Sequence, residues 1–574
     1  MDFALTEEQE MLRRSVREFA EAEIKPYVMV YDETQEFPRV LVKKAAAQGY
    51  YGVLFPEELG GAGLGYIEYV LIVEELSRVD GSIGISVAAH NSLCTNHVFA
   101  CGSDAQRARY VPKLASGEWI GAWSLTEPTA GSDAGGTKTT AREAPGGGWI
   151  LNGSKTFTTH GSVGDLTIVF AVTDPGRAQK GISAFAIEKG APGFRPGKKE
   201  NKMGLRASDT AEVIMDDCRV GADALVGRRG EGFVDAMRIL DGGRISIAAL
   251  ALGMARGAYD AAIRYAKQRE QFGKPIAEFD LIRKKLGEIA TQTFVAESMA
   301  FRTAGLLDAR ARAIDPGDPQ YQKKMIDAIE EHAIEASIIK VFGSEMLHAT
   351  ADETLQIFGG AGYIEDYPIE RVSRDARINR IFEGTNEINR LLVPGTMLKR
   401  ALGGRLGLMG LVGEVRQELA DPIKIDRRIP DGPLGRERKK CDFAKRAIAY
   451  GASLGVQKYM QQISEKQELL GVLADCLILT FGMDSAISRT LQLVAAKGEA
   501  GSQIPIAMTQ LFVAKAHEQV FDMLREMMMW MSQEEEWGRE MRDINSYYNL
   551  DRVNTFSLRR RVARHVIEAG GYAL

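Results

Sequence analysis

Cysteine is scarce and poorly placed for cross-linking. The 574-residue chain has five, Cys94, Cys101, Cys218, Cys441 and Cys476. The number is odd, the spacing wide, and no Cys-x-x-Cys pair occurs. That excludes a disulfide framework and a zinc-ligand set, so reduced, buried thiols in a cytosol-like compartment are expected, and no metal. Positive charge is not in excess either: the formal net charge is −5, so no basic field points to nucleic acid or an anionic membrane. Uncharged apolar runs such as residues 245–255 fall well short of the roughly 20 residues that span a bilayer. The N-terminus has Asp2, Glu7 and Glu8 where a signal peptide needs bases and then an apolar core. A soluble, cytoplasmic protein is expected. Internal repeats and low-complexity tracts are absent. Gly60-Gly61-Ala62-Gly63-Leu64-Gly65 lacks the strand–turn–helix setting of a dinucleotide fingerprint. No GxxxxGK[ST], HExxH or GxSxG stands in a matching context. His97, His332 and His348 sit singly on helical patterns and read as packed or surface residues.

What is present is apolar residue enough (45%) to bury large cores in several domains. The expected fold class is α+β, mostly α. Residues 1–120 read as helices, with apolar residues at three- and four-residue steps over 7–24 and 67–79, and with Thr6 and Gln9 set for a capping box. The period changes over 121–232, where 166–172, 182–187 and 211–215 are short β-branched or alternating runs and Asn152-Gly153 signals a hairpin. This is the β domain. Helical period returns over 233–269, 280–310, 321–358 and 386–401, giving a helical domain at 233–400. Residues 401–435, rich in Gly and Pro, read as a linker, and 436–574 as an appended helical domain. Its Met527-Met528-Met529-Trp530-Met531 cluster reads as core filler.

Five blocks carry chemistry. In Arg380-Ile381-Phe382-Glu383-Gly384-Thr385-Asn386-Glu387-Ile388, a carboxylate sits on a Gly-softened turn ahead of a helix that Thr385 or Asn386 caps. Glu383 there is a candidate general base or simply a helix-start acid. The loop Trp123-Ser124-Leu125-Thr126-Glu127-Pro128-Thr129-Ala130-Gly131-Ser132 has small residues that let backbone amides approach a ligand, and hydroxyls to bond it; an ordinary polar loop has the same composition. Lys155-Thr156-Phe157-Thr158-Thr159-His160-Gly161 reads as a strand, on which Phe157 is placed to stack on a flat ring. Asp241-Gly242-Gly243-Arg244 starts a long helical segment that ends at Arg269-Glu270-Gln271-Phe272-Gly273, where Arg269 is either an anion holder or a solvated cation. Gln356-Ile357-Phe358-Gly359-Gly360-Ala361-Gly362-Tyr363 is a glycine-rich helix end, and so at least a C-cap.

In this order the five blocks resemble the acyl-CoA dehydrogenase family of flavoproteins over about residues 3–397. The resemblance implies a helical, a β and a four-helix domain, with FAD between the last two and at a subunit interface. Trp123, Leu125, Thr126, Gly131, Ser132, Phe157, Thr158 and Thr159 would cradle the isoalloxazine, and Thr385, Asn386 and Glu387 would contact the same FAD. Phe157 stands where Trp is commoner. Arg269, Gln271, Phe272, Gln356, Gly359 and Gly360 would reach the FAD of a neighbouring subunit, which implies a homo-oligomer, with a dimer favoured. Asp280 stands where the family often has Gln. Ser132, Asp241, Arg244 and Gly384 would line the acyl-CoA side. Glu383 matches the usual base. Some relatives place that base just before the matching Arg, and here that position is Gly243. The extension past residue 400 resembles the very-long-chain branch, which also brings a possible membrane-surface role.

The resemblance implies FAD-dependent α,β-dehydrogenation of an acyl-CoA, with Glu383 taking the α proton, the β-hydride passing to flavin N5, and electrons going to an electron-transfer flavoprotein. Burial among Ile381, Phe382 and the flavin would raise the basicity of Glu383. Small residues at Ser82, Ser86, Ala88 and Ala89 favour a medium or long acyl chain. An oxidase-type enzyme on the same fold and an assembly protein with a residual site are the alternatives.

Overall fold

In the computed structural model, which describes residues 3–548 and 552–573, the first helix begins where its cap dictates. Thr6 accepts from the Gln9 N–H, and the Gln9 side chain accepts in return from the Thr6 N–H. Helices fill the chain up to Ala115. The central one, Tyr66–Val79, is buried on most sides, its buried Glu74 and Glu75 paired with Arg256 and Arg17.

The β domain is one eight-stranded sheet: β1 Gly121–Ser124, β2 Thr140–Glu143, β3 Trp149–Thr159, β4 Leu166–Val172, β5 Ile182–Glu188, β6 Phe194–Lys199, β7 Thr210–Val220 and β8 Leu225–Val226. The strand order is β6-β7-β3-β2-β4-β5-β8, with β1 parallel to β4. Asn152-Gly153 is not a hairpin turn. β3 runs through it with a bulge against β7, and Asn152 bonds Asp217 across the strands. The turn joining β2 to β3 is made instead by Gly146, Gly147 and Gly148, all at positive φ. Three successive left-handed glycines reverse a chain at little steric cost.

Past the sheet, Gly232–Gln268, Asp280–Arg312, Ala333–Phe358 and Asn386–Leu402 form the second helical unit. The expected 321–358 segment is broken at His332 into Tyr321–Glu331 and Ala333–Phe358. Gly253 and Gly257 let the Gly232 helix lie directly on the Tyr66 helix, since a Cβ at either would collide with the carbonyl of Glu74 or Arg78. Tyr69, Ile72, Val73, Leu250 and Leu252 fill the seam and are essentially unexposed, each contributing roughly 1.5–3 kcal/mol by burial.

The stretch read as a linker holds a helix, Leu408–Ala420, which buries Val415 against the next helix, Gly435–Tyr459. The appended unit is completed by Gln467–Gly501, Gln503–Met531, Glu534–Asn545 and Thr555–Ala569. The Gln467 helix is long and apolar enough to cross a membrane by length and composition, although Asp475 and Asp484 interrupt its apolar run. Here it is a bundle helix, with Leu473, Cys476 and Met483 buried. The methionine cluster divides by helical period: Met527, Met528 and Met531 are buried, whereas Met529 and Trp530 face outward. Ion pairs fasten this unit to the second one: Arg489–Glu297 at 2.6 Å, Arg302–Asp484 at 2.8 Å, Lys515–Glu288 at 2.6 Å and Arg390–Asp475 at 2.8 Å. All five cysteines are free thiols, and only Cys101 is partly exposed.

Candidate active site

Glu383 and Gly384 are two successive residues in the left-handed region (φ 55° and 81°). Glycine takes that conformation freely, but for glutamate it costs about 1–2 kcal/mol. Such a backbone persists only when its surroundings over-determine it, and here they do. Lys340, on the Ala333 helix, donates to the Gly384 carbonyl at 2.7 Å and to Asn386 Oδ1 at 2.9 Å. Asn389 Nδ2 donates to the carbonyls of Gly384 (2.8 Å), Thr385 (3.1 Å) and Glu383 (3.3 Å). Thr385 caps the helix that follows by accepting from the Ile388 N–H.

The turn aims the Glu383 carboxylate at the bare backbone of Gly243: a Cβ there would stand 2.6 Å from Glu383 Oε2 and 3.2 Å from Leu93 Cδ2. Oε2 is shut from solvent and has no hydrogen-bond partner. Burial pushes the carboxyl up to about 7, against the pull of the Arg244 and Lys340 cations. Burial also lowers Lys340 to about 7, with Glu383 the largest opposing influence. A half-buried carboxylate with one shielded, unpartnered oxygen and such a pKa is suited to accept a proton near neutral pH. Because only the ionised form accepts one, kcat/KM is expected to climb about tenfold per pH unit below 7 and level off above it. A pH–rate profile already flat at pH 5 would contradict this.

Asp241 and Arg244 are buried and paired with each other. Burial raises Asp241 to about 6, the Arg244 charge opposing, and Arg244 Nε is left without a partner.

The loop after β1 is shaped from within. Lys155, fully buried on β3, donates to Glu127 (2.7 Å), Thr137 Oγ1 (2.8 Å) and the Leu125 carbonyl (3.1 Å). Glu127 also accepts from the N–H groups of Lys138 and Thr139 and from both hydroxyls of Thr137 and Thr139. Burial opposes its charge, but the Lys155 ammonium and these donors hold it down to about 2. With Glu127 and Ala130 exchanging backbone hydrogen bonds, Gly131 and Ser132 are left exposed. Phe157, at φ 56°, is exposed as well (66%), and the buried Thr156 Oγ1 has no partner. Trp123 is half-buried, its ring edge against Phe170 and its Nε1 donating to His97 Nδ1 at 3.4 Å.

Two expected contacts are used otherwise. The Thr158 hydroxyl bonds Ser124 Oγ at 2.6 Å inside the sheet, where β3 is irregular between Lys155 and Thr158 and Phe157 alone turns outward at φ 56°. The Asn386 side chain faces the Ala333 helix, donating to Ser344 Oγ and Glu345 (both 3.0 Å) and accepting from Lys340. Both side chains are held by partners within the chain. Thr159 and Leu125 are half-buried, and Glu387 is exposed in the first turn of the Asn386 helix.

Arg269, Gln271, Phe272, Gln356, Gly359 and Gly360 form a second, exposed cluster. A hairpin pairs Glu270–Gln271 with Lys274–Pro275 and projects Phe272, 93% exposed. Tyr265 stacks on Phe358 at 4.1 Å, bringing the hairpin beside the glycine-rich turn. Gly243 and Gln268 are on one helix, so at 1.5 Å per residue the two clusters are about 37 Å apart along its axis. Asp280 is engaged by Arg560 of the appended unit at 2.9 Å. Lys340, Asn389, Lys155 and Glu127 were not singled out from sequence. The signal for Lys340 was a lone Lys inside Ile338-Ile339-Lys340-Val341-Phe342.

Four family models match in chain order: acyl-CoA dehydrogenase N-terminal domain over 6–118, middle domain over 122–218, C-terminal domain over 230–398, and a further C-terminal domain over 443–542. A "Probable acyl-CoA dehydrogenase" of Bacillus subtilis (strain 168) is 36% identical over 99% of this chain and 95% of its own length. A short-chain-specific acyl-CoA dehydrogenase of Clostridium acetobutylicum is 41% identical over 70% of this chain and all of its own. Among solved structures, an acyl-CoA dehydrogenase complexed with FAD from Bacillus anthracis superposes with a TM-score of 0.96 at 35% identity, over 99% of this chain and 96% of that one.

Proposed function

The chain belongs to the acyl-CoA dehydrogenase family of FAD-dependent oxidoreductases, and from that premise we propose that it desaturates acyl-CoA thioesters between Cα and Cβ, with Glu383 as the base. The observation that carries this is the shielded, unpartnered Glu383 Oε2 facing Gly243. The residues present fit FAD: the bare ring of Phe157, the orphaned Thr156 hydroxyl and the uncovered Gly131-Ser132 backbone suit a flat group with a polar edge. Trp123, Leu125, Thr126, Gly131, Ser132, Phe157, Thr159, Thr385 and Glu387 would hold it. Bound FAD supplies the acceptor, at N5, for the β-hydride.

An α C–H beside a thioester is a weak acid, and a carboxylate in water scarcely touches it. Glu383 gains basicity from its dry setting, and its strained turn directs Oε2 across the space over Gly243. Small residues set the acyl range at medium to long. Ser82, Ser86 and Ala88 are buried in helix packing, while Ala89 borders Leu93, which also lies against the space over Gly243. The electron acceptor would be an electron-transfer flavoprotein.

The separation of the two clusters supports a dimer. Gly243 and the Arg269 end lie about 37 Å apart along one helix, so Arg269, Gln271, Phe272 and the 356–360 turn would serve the FAD of a second copy. Sedimentation of a monomer with FAD fully bound would contradict that arrangement.

The test is anaerobic titration of the purified yellow protein with acyl-CoAs of graded length. Bleaching strongest with medium or long chains, and slow reoxidation in air, are the expected results. No bleaching with any thioester would reject the activity, and a C4 optimum would reject the chain length.

A further inference from the structure

An unbroken run of polar contacts joins the appended unit to the catalytic turn. Asp475, on the Gln467 helix, accepts from Arg390 Nε at 2.8 Å. The other two nitrogens of Arg390 grip Glu345 with both oxygens engaged, at 2.7 and 2.9 Å. Glu345 Oε1 then accepts from Asn386 Nδ2 at 3.0 Å, and Asn386 Oδ1 accepts from Lys340, whose ammonium holds the Gly384 carbonyl. Each contact fixes the next: a guanidinium gripped on two sides has one orientation, and so has an amide whose both ends are bonded. The last member supports a backbone that Glu383 does not adopt unaided.

We propose that Asp475 is a positioning residue for the catalytic turn, acting through Arg390, Glu345, Asn386 and Lys340. The appended unit thereby takes part in the reaction without touching substrate. This rests on the dehydrogenase reading above. The outer members of the run, Asp475, Arg390 and Glu345, line a cavity of about 770 Å³ between the two units, where Arg390 and Asp475 are both partly exposed. Its effect is accordingly moderate, a displacement of the base and not its loss.

The test uses full-length, flavin-loaded protein. Asp475→Ala removes the anchor and Asp475→Glu keeps the carboxylate. Asp484→Ala is the control, for Asp484 bridges the same two units through Arg302, and pairs with Lys445 of its own unit, but has no contact with the run. Two quantities are read: the bleaching rate at saturating medium-chain acyl-CoA with its half-saturation concentration, and amide hydrogen exchange over residues 383–389 without substrate. Asp475→Ala should slow bleaching roughly tenfold, since small misplacements of reacting groups are costly. Half-saturation should stay within about twofold, and exchange should quicken roughly fivefold. Asp475→Glu should recover at least about half the rate, and Asp484→Ala should leave both readings at wild-type values. Wild-type bleaching and exchange in Asp475→Ala, or equal losses in Asp484→Ala, would overturn the proposal. If the wild type fails to bleach, the dehydrogenase reading fails, while the exchange data still decide whether Asp475 holds the turn.

Discussion

Glu383→Gln lowers turnover by about 10³- to 10⁴-fold and leaves FAD bound, the loss expected when a general base goes and the rest of a site stays. Glutamine has the shape of glutamate and bears the same backbone strain at φ 55°, so Lys340 and Asn389 keep their hold on the turn. Its amide is aimed at the same space over Gly243 but cannot take a proton at neutral pH. Removing a buried charge costs the fold nothing by itself, so the melting temperature should not fall. Steady-state turnover, with the flavin spectrum recorded on the same sample, checks both parts. Losses in turnover and flavin content together would mean that Glu383 is structural.

Gly243→Val should cost at least about 10²-fold in turnover by moving the base. The new Cβ would stand 2.6 Å from Glu383 Oε2 and 3.1 Å from its Cδ. Gly243 is inside a 37-residue helix whose backbone is packed along its length, so the carboxylate must yield by about 1 Å, a misplacement on the scale that costs two orders of magnitude. Gly343→Ala is the control: it adds a Cβ in the same bundle whose nearest neighbour is Ala248 Cα at 3.5 Å, an ordinary contact. Valine at 243 with full turnover would mean that the base does not work from this side.

The Glu383 turn was legible because its cues are local. A glycine after the acid and a capping Thr mark the turn, and both are what the backbone uses. Its aim was not, since Gly243 is 140 positions away and only helix packing brings the two together. Lys340 and Asn389 were missed because their work is done on the inner faces of helices, where periodicity shows burial but not partners. The partners of Asn386 were hidden for the same reason: it is the first residue of its helix, on the side facing Ser344 and Glu345. Thr158 followed from treating three successive strand residues as one surface, although β3 is irregular there, with Phe157 at φ 56°.

In the fold, the strand Leu166–Val172 and the helix beginning at Asp280 lie where the sequence pattern places them. Asn152-Gly153 is a bulge beside Thr139, just ahead of β2, where a Cβ on residue 153 would collide, a tertiary setting that no dipeptide rule contains. The 408–420 helix was hidden by its glycines: Leu408, Leu411 and Val415 keep helical spacing through Gly410 and Gly413.

The claim at the centre is that the Glu383 carboxylate removes a proton from the α carbon of a thioester. The most direct measurement is deuterium uptake from D₂O at Cα of an acyl-CoA analogue that cannot lose a β-hydride, followed by mass spectrometry in flavin-loaded wild type and Glu383→Gln. The account predicts uptake in the wild type, rising with pH through about 7, and none above background in the variant. Equal uptake in both proteins would contradict it.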